Sequence, residues 1–369
     1  MQPTIKQVVI LGSGVMGSRI ACHFAGIGVQ VLLLDRLQPG AEESKHSKER
    51  NKLVNDALQA SIKSNPSPIY SSAFTKNIRT GNFTDDMPQI ASADWIIEVV
   101  VERLDIKKTI YDQVEQYRKP GTLVSSNTSG IPIHLMAEGR SEDFQQHFCG
   151  THFFNPARYL KLFEIIPGPQ TAPEVLEFLN GYGEQFLGKT SVIAKDTPAF
   201  IGNRVGIFSI QSLFHAVKDL DLTIEEVDKL SGPVIGRPKS ATFRTTDVVG
   251  LDTMINVANG LYQNVPNDKA HALFQLPGYV LKMKENNWLG DKTKQGFYKK
   301  VKGENGKSEI LALDLKTLEY RPQEKVKSAT LDGLKLIDNL RDRMKAYAKG
   351  TDRAGEFFRT AFFGLFEYV

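Results

Sequence analysis

The sequence predicts an α/β domain built on a mostly parallel sheet, followed by an all-α domain. Three observations carry this expectation. Up to about residue 196, strand-like apolar runs alternate with helix-like segments, the pattern that gives parallel strands covered on both faces. After "TSVIAKD" the strand signals stop and helical periodicity takes over. The 369 residues also exceed what one ordinary domain holds.

Taken in order, "QVVILGSG" reads as a buried strand, and "MGSRIACHFAGIG" as a helix that stops at Gly28. "VQVLLLD" is a second strand, followed by the charged helical stretch "AEESKHSKERNKLVNDALQASIK". "SNPSPIYSSAF" (64–74), rich in Ser and Pro, reads as a loop or insertion. "ADWIIEVVV", "GTLVSSN" and "FCGTHFF" are three more strands, the first two followed by helical patterns. "THFFNPARYLKLFEII" (151–166) sets two apolar arms about a turn-like Asn-Pro step, with His152 on one arm and Glu164 on the other. Paired as a hairpin around a turn near Arg158, the arms bring these two side chains face to face.

"DTPAFIGNRVGIFSIQSLFHAVKDL" opens with Asp196 or Thr197 as cap and Pro198 in the first turn, so a helix is expected to start there. Helices and loops follow to about residue 290, and "KKVKGENGKSE" (299–309) reads as a turn or linker. Near the end Phe357, Phe358, Ala361, Phe362, Leu365 and Phe366 recur at helical spacings, an aromatic face that needs a partner surface. The expected division is 1–196, 197–300, and a linker with helical extension over 301–369.

Composition narrows the function. Hydrophobic residues at 41% and charged residues at 24% suit a globular protein with a sizeable core. A net charge of +4 is too mild for a nucleic-acid binder, though it favours an anionic substrate. The two cysteines, Cys22 and Cys149, lie far apart, which argues against a disulfide framework and points to a reducing compartment, the cytoplasm. No apolar run approaches the roughly 20 residues of a membrane span. "MQPTIKQVVILG" enters a strand at once, which leaves no room for a targeting peptide. The histidines show no metal-ligand spacing, so no metal is expected.

"GSGVMG" supplies Gly12, Ser13, Gly14, Val15, Met16 and Gly17 in the G-x-G-x-x-G pattern, between a strand and a helix, and Asp35 ends the next strand. This is the context of a dinucleotide fingerprint, hence a Rossmann-type domain. The glycines let the pyrophosphate approach the helix N-terminus, and the acid accepts from the adenosine ribose. Asp35 would repel a 2′-phosphate, favouring NAD over NADP, while Arg36 beside it could accommodate one. The alternative is a structural turn with a solvated acid.

"GSGVMG", "IIEVVVE", "SSNTSG", "GTHFFNP", "KDTPAFIGNR", "GLDT" and "KTKQGFY" together resemble the L-3-hydroxyacyl-coenzyme A dehydrogenase family over nearly all of residues 5–300. The resemblance implies a Rossmann-type domain followed by a helical one, and NAD-dependent oxidation of an L-3-hydroxyacyl-CoA to the 3-ketoacyl thioester in fatty-acid β-oxidation. It implies His152 as general base and Glu164 as its orienting carboxylate. A carboxylate on one imidazole nitrogen fixes the tautomer and leaves the other nitrogen free to take the hydroxyl proton. The bland alternative is a core histidine satisfied by a carbonyl. Ser129 and Asn203 match positions that hold the reacting oxygen, with capping roles as alternatives. Glu102, Lys107 and Lys292 match positions near the cofactor, against the alternative of an idle exposed helix face. Asn155 reads as a turn former bordering the site.

The acyl-CoA is the expected partner, and Lys45, Lys48, Arg50 and Lys52 form a landing strip for its phosphates or else a solvated helix face. The sequence departs from the family pattern at Ala199 and Lys294, where glycine is usual, and over about 60–78, which is longer than in compact members. Two other readings stay open: a dehydrogenase of a small free hydroxy acid, with Arg158 or Arg204 clamping its carboxylate, and a non-catalytic nucleotide binder. Larger multidomain relatives add a second helical domain and an enoyl-CoA hydratase module. The aromatic end is therefore expected to contact a missing continuation, with packing on residues 200–290 or a homodimer interface as alternatives.

Overall fold

Apolar side chains fill both faces of the opening strands, so they are drawn into the centre of a sheet rather than onto its edge. Val8, Ile10, Val31, Leu33, Trp95 and Ile97 pack into one core layer. Their alternates Val9, Leu11, Leu32, Leu34 and Ile96 pack into another. The computed structural model describes residues 5–303 and 307–369. It divides into two units, Met1–Gly202 and Asn203–Val369.

The first unit is an eight-stranded sheet. Its strands are β1 (Gln7–Leu11), β2 (Gln30–Asp35), β3 (Ile78–Asn82), β4 (Trp95–Glu98), β5 (Leu123–Ser126), β6 (Phe148–Phe153), β7 (Leu162–Pro167) and β8 (Thr190–Ile193). The order is β3-β2-β1-β4-β5-β6-β7-β8. β1 to β6 run parallel, and the order 3-2-1-4-5-6 is that of a dinucleotide-binding sheet. Only β6 and β7 pair antiparallel. Chain reversal at β1 and β4 opens the crevice in which such sheets take ligands, at the C-terminal ends of the strands.

Two local expectations fail here. The apolar pattern does not announce β3: "IRTGN" is short and polar because it is an edge strand, paired in the sheet with β2 alone. The long charged helix after β2 shrinks to a turn at Ser47–Arg50 and a helix at Lys52–Ile62. Arg50 is the reason. It donates to Asp85 through Nε (2.6 Å) and Nη2 (2.7 Å), and through Nη1 to the carbonyl of Glu42 (2.6 Å), folding residues 38–46 into a loop.

The second unit is helical. The helix Gly202–Asp219 starts later than Asp196 or Thr197, because Asp196 instead accepts from the amides of Ile133 (2.8 Å) and His134 (3.0 Å). Ile224–Ser231 opens with a capping box between Thr223 and Glu226. The all-α expectation misses a small antiparallel sheet of β9 (Tyr298–Lys302), β10 (Ser308–Leu313) and β11 (Tyr320–Pro322). Its lysines read as a linker, and residues 304–306 of that stretch lie outside the described residues. Asp247 anchors the sheet by accepting from the amides of Phe297 and Tyr298, both at 2.8 Å. Phe357, Phe358, Ala361 and Phe362 are buried within this unit, and Tyr368 stacks on Phe208 at 4.0 Å. Phe358 packs against Tyr347 at 4.6 Å and Phe362 under the Arg237 guanidinium at 5.5 Å, so of this end Tyr368 reaches the Gly202–Asp219 helix, and Phe366 stays exposed.

Cys22 and Cys149 are both free and buried, and burial pushes the Cys22 thiol up to about 12 and the Cys149 thiol further. Among the described residues no helix is long and apolar enough to cross a membrane.

The two departures from glycine sit where glycine is favoured: φ is 61° at Ala199 and 60° at Lys294. A left-handed conformation costs an L-residue about 1–2 kcal/mol, against roughly 0.5–1 kcal/mol for glycine's extra unfolded-state freedom. Lys294 is exposed, so its side chain loses little on truncation. Lys294→Gly is therefore expected to stabilise the protein by roughly 0.5 kcal/mol. A urea midpoint at or below that of the parent would contradict this account of strain.

Candidate active site

The glycine loop joins β1 to the helix Val15–Gly26, and two of its glycines are required by the fold itself. A Cβ on Gly17 would lie 1.8 Å from the Gly12 carbonyl oxygen, and one on Gly12 would meet the Val99 oxygen at 2.6 Å. Gly14 is different: an added Cβ would meet nothing within 4 Å. Its open side is the space that a pyrophosphate needs above a helix N-terminus, and no side chain caps that helix. Asp35 Oδ2 accepts from the Ser13 amide and hydroxyl, both at 2.6 Å, so the acid at the end of β2 is oriented by the loop it serves. Val15 is exposed on the first turn and Met16 packs against the core. The residues present fit a bound dinucleotide.

At the hairpin, His152 and Glu164 are directly paired in the β6–β7 ladder. His152 Nδ1 lies 2.7 Å from Glu164 Oε2, and the two groups are 4% and 0% exposed. Glu164 Oε1 accepts from the amides of Ile201 (2.9 Å) and Gly202 (2.6 Å). A carboxylate accepts, so Nδ1 carries the hydrogen, which in the neutral ring leaves the lone pair on Nε2. That nitrogen faces the Ser129 hydroxyl at 3.3 Å. Phe154 packs on the ring with centroids 4.3 Å apart, and Phe200 meets it edge-on at 5.8 Å. The turn between the strands is clamped from below by the buried Lys189, whose ammonium donates to the carbonyls of Ala157 and Leu160.

Ser129 is held by a second network. Glu102 Oε1 accepts from Thr128 Oγ1 (2.5 Å), the Ser129 amide (2.9 Å) and the Gly130 amide (3.2 Å). Its other oxygen lies 3.2 Å from Lys107 Nζ. Burial alone would raise the Glu102 carboxyl, but Lys107, Thr128 and the Ser129 amide outweigh it and hold the group below its usual range. Lys107 is no idle surface residue: it is 1% exposed and donates to Glu98 at 2.8 and 3.0 Å. Glu98 and Asn127 were passed over in the sequence. Glu98 lies in the apolar run "ADWIIEVVV", which marks the strand as buried but says nothing of the carboxylate's partners. Asn127, inside "SSNTSG", accepts from the Phe153 amide at 2.8 Å and ties the Ser129 turn to the strand of His152.

The remaining candidates scatter. Asn155 accepts from Arg19 Nη1 at 2.6 Å, which links the residue after the β6 arm to the dinucleotide helix. Asn203 and Lys292 belong to the second unit, Asn203 in the first turn of Gly202–Asp219 and Lys292 ion-paired with Asp252. Arg158 donates to the carbonyls of Ser67 (3.1 Å) and Ile69 (3.2 Å), and Arg204 is ion-paired with Asp268. Each guanidinium thus already has partners within the protein. Arg50 is tied to Asp85, while Lys45, Lys48 and Lys52 stay exposed, Lys52 in a surface pair with Asp56.

Comparison with known proteins follows this geometry. The NAD-binding domain of 3-hydroxyacyl-CoA dehydrogenase matches residues 7–197, and the C-terminal domain of 3-hydroxyacyl-CoA dehydrogenase matches residues 200–300. This chain belongs to the 3-hydroxyacyl-CoA dehydrogenase family. A probable 3-hydroxyacyl-CoA dehydrogenase of Bacillus subtilis is 47% identical over 363 residues, covering 96% of this chain and 45% of that relative. The chain therefore spans under half the length of this relative. It spans 85% of a probable 3-hydroxyacyl-CoA dehydrogenase of Deinococcus radiodurans, at 40% identity over 82% of this chain. The solved (S)-3-hydroxybutyryl-CoA dehydrogenase of Ralstonia eutropha superposes with a TM-score of 0.61 at 26% identity, covering 79% of this chain and 98% of that one. The first unit is thus the family's NAD-binding domain, and NAD is the cofactor that it takes.

Within this family member the glycines can be separated by experiment. Gly14→Ala is expected to leave the melting temperature within a degree or two, yet raise the Kd for NADH about tenfold or more, because the new methyl fills the pyrophosphate's approach. Gly17→Ala should instead lose several kcal/mol of stability through its clash with the Gly12 carbonyl. Calorimetry with NADH titration reads both, and equal NADH affinity in Gly14→Ala would remove the phosphate from this loop.

Proposed function

We propose that the chain oxidises the 3-hydroxyl of an L-3-hydroxyacyl-CoA to the 3-ketoacyl thioester, as a step of fatty-acid β-oxidation in the cytoplasm. The observation that carries this reading is the His152–Glu164 pair, with its free Nε2 set beside a hydroxyl. NAD, when bound, supplies the hydride acceptor. The chain's own residues handle the proton. His152 takes it from the substrate hydroxyl at Nε2, and the positive charge that then arrives on the ring faces Glu164 2.7 Å away. Ser129 Oγ, 3.3 Å from the same nitrogen, holds the reacting oxygen; a role for Asn203 at that oxygen rests on the sequence resemblance alone. In the reverse direction the same nitrogen returns the proton.

Asp35, oriented by Ser13, accepts from the adenosine ribose and disfavours a 2′-phosphate. Glu102, Lys107 and Asn155 complete the cofactor's surroundings in this reading, and Lys292 is assigned there by the sequence resemblance alone. The ion pair of Arg204 with Asp268 and the carbonyl bonds of one Arg158 nitrogen weigh against the free-acid alternative.

The test is reduction of acetoacetyl-CoA against free acetoacetate, followed by loss of NADH. The thioester should be preferred by about a hundredfold or more in kcat/KM, since remote binding energy is used at the reacting carbon. His152→Gln should lower kcat by about a hundred- to ten-thousand-fold while NADH binding holds. Glu164→Gln should cost less, because it keeps the shape and loses the charge. Near-full activity in His152→Gln would move the base elsewhere, and equal rates with NADH and NADPH would remove Asp35 from cofactor choice.

A further inference from the structure

The lysine buried at the ends of β4 and β5 has more negative charge around it than it needs. Glu98, fully buried, accepts from the Val100 amide (2.7 Å), Lys107 Nζ (2.8 Å), the Tyr111 hydroxyl (2.8 Å) and the Ser126 hydroxyl (2.6 Å). One carboxylate is enough to balance one ammonium, and this one has its lone pairs filled. Yet Lys107 also reaches Glu102, which is 44% exposed. Glu102 gives its other oxygen wholly to residues 128–130. The ammonium hangs on four rotatable bonds from the helix Leu104–Tyr117, and nothing on that helix selects its position. Glu98 does, from the end of a central strand whose register places it between Leu11 and Ser126.

We propose that Glu98 is a positioning residue for proton transfer: it seats Lys107 so that Lys107 fixes Glu102, and Glu102 fixes the turn that aims the Ser129 hydroxyl at His152. The inference rests on the dehydrogenase reading above. Tyr111 is part of the device as a donor. Its ring packs against Phe144 and Phe148, and burial together with the Glu98 charge keeps its hydroxyl protonated.

The test combines kinetics with deuterium exchange on the full chain. Glu98→Gln should lower kcat for acetoacetyl-CoA about tenfold or more, with its KM changed by less than about threefold. Exchange at the Ser129 and Gly130 amides should accelerate, since both bond to Glu102. Adding Ser129→Ala to Glu98→Gln should give a kcat no lower than Ser129→Ala alone, because the two act through one hydroxyl. Losses that multiply, or exchange at 129–130 left unchanged, would overturn the proposal and leave Glu98 a stability element only. Tyr111→Phe withdraws one donor from the same carboxylate without changing charge, and should show the same pattern at about two- to fivefold. It decides the question where Glu98→Gln does not fold. Exchange is read without substrate, so it separates failure of this inference from failure of the dehydrogenase reading.

Discussion

Glu164 shares one carboxylate between an imidazole and two backbone amides, and the geometry of the site follows from that sharing. A carboxylate with no solvent access must have its lone pairs filled from within, or its desolvation costs several kcal/mol. His152 can reach it only if β6 and β7 pair in the observed register. The amides of Ile201 and Gly202 can reach it only if the chain after β8 doubles back. It does so through two consecutive left-handed residues, Ala199 and Phe200. The strained bend and the catalytic-looking pair are thus one feature: the bend turns two amides inward, and the carboxylate they receive sets the tautomer of the ring.

The same logic recurs at Glu98, where donors come from β4's own continuation, the helix Leu104–Tyr117 and the end of β5. Apolar packing holds the sheet together, but it is non-directional and tolerates small shifts. Two buried carboxylates, each satisfied from several elements, do not tolerate them, because a shift strands a charge. The C-terminal edge of the sheet is therefore fixed by charge satisfaction to the precision of a hydrogen bond, which is the precision proton transfer demands.

Much of the fold was legible because parallel strands buried on both faces announce themselves as unbroken apolar runs, as "QVVIL" and "QVLLLD" do. The edge strand "IRTGN" and the lysine-rich β9 escaped, since strands half in solvent carry no such signature. The helix starting at Gly202 was placed too early because Asp196 looks like a local cap and is a distant one. At the site, the facing of His152 and Glu164 could be read from the spacing of two apolar arms about a Pro-containing turn. The contacts that hold the site could not. Glu98 (through Ser126), Asn127 and Lys189 bond to residues far along the chain, and these partners are set by tertiary packing rather than by anything adjacent in sequence.

The two thiols have a practical consequence. Cys22 and Cys149 have no solvent exposure, and their thiolates are suppressed by burial, so neither offers a nucleophile to a maleimide at neutral pH. In the folded chain both thiols are therefore expected to label slowly with thiol-directed dyes. A cysteine placed at Leu336, which is 86% exposed, would then be a single addressable handle, and its fluorescence would report on this chain with little background to subtract.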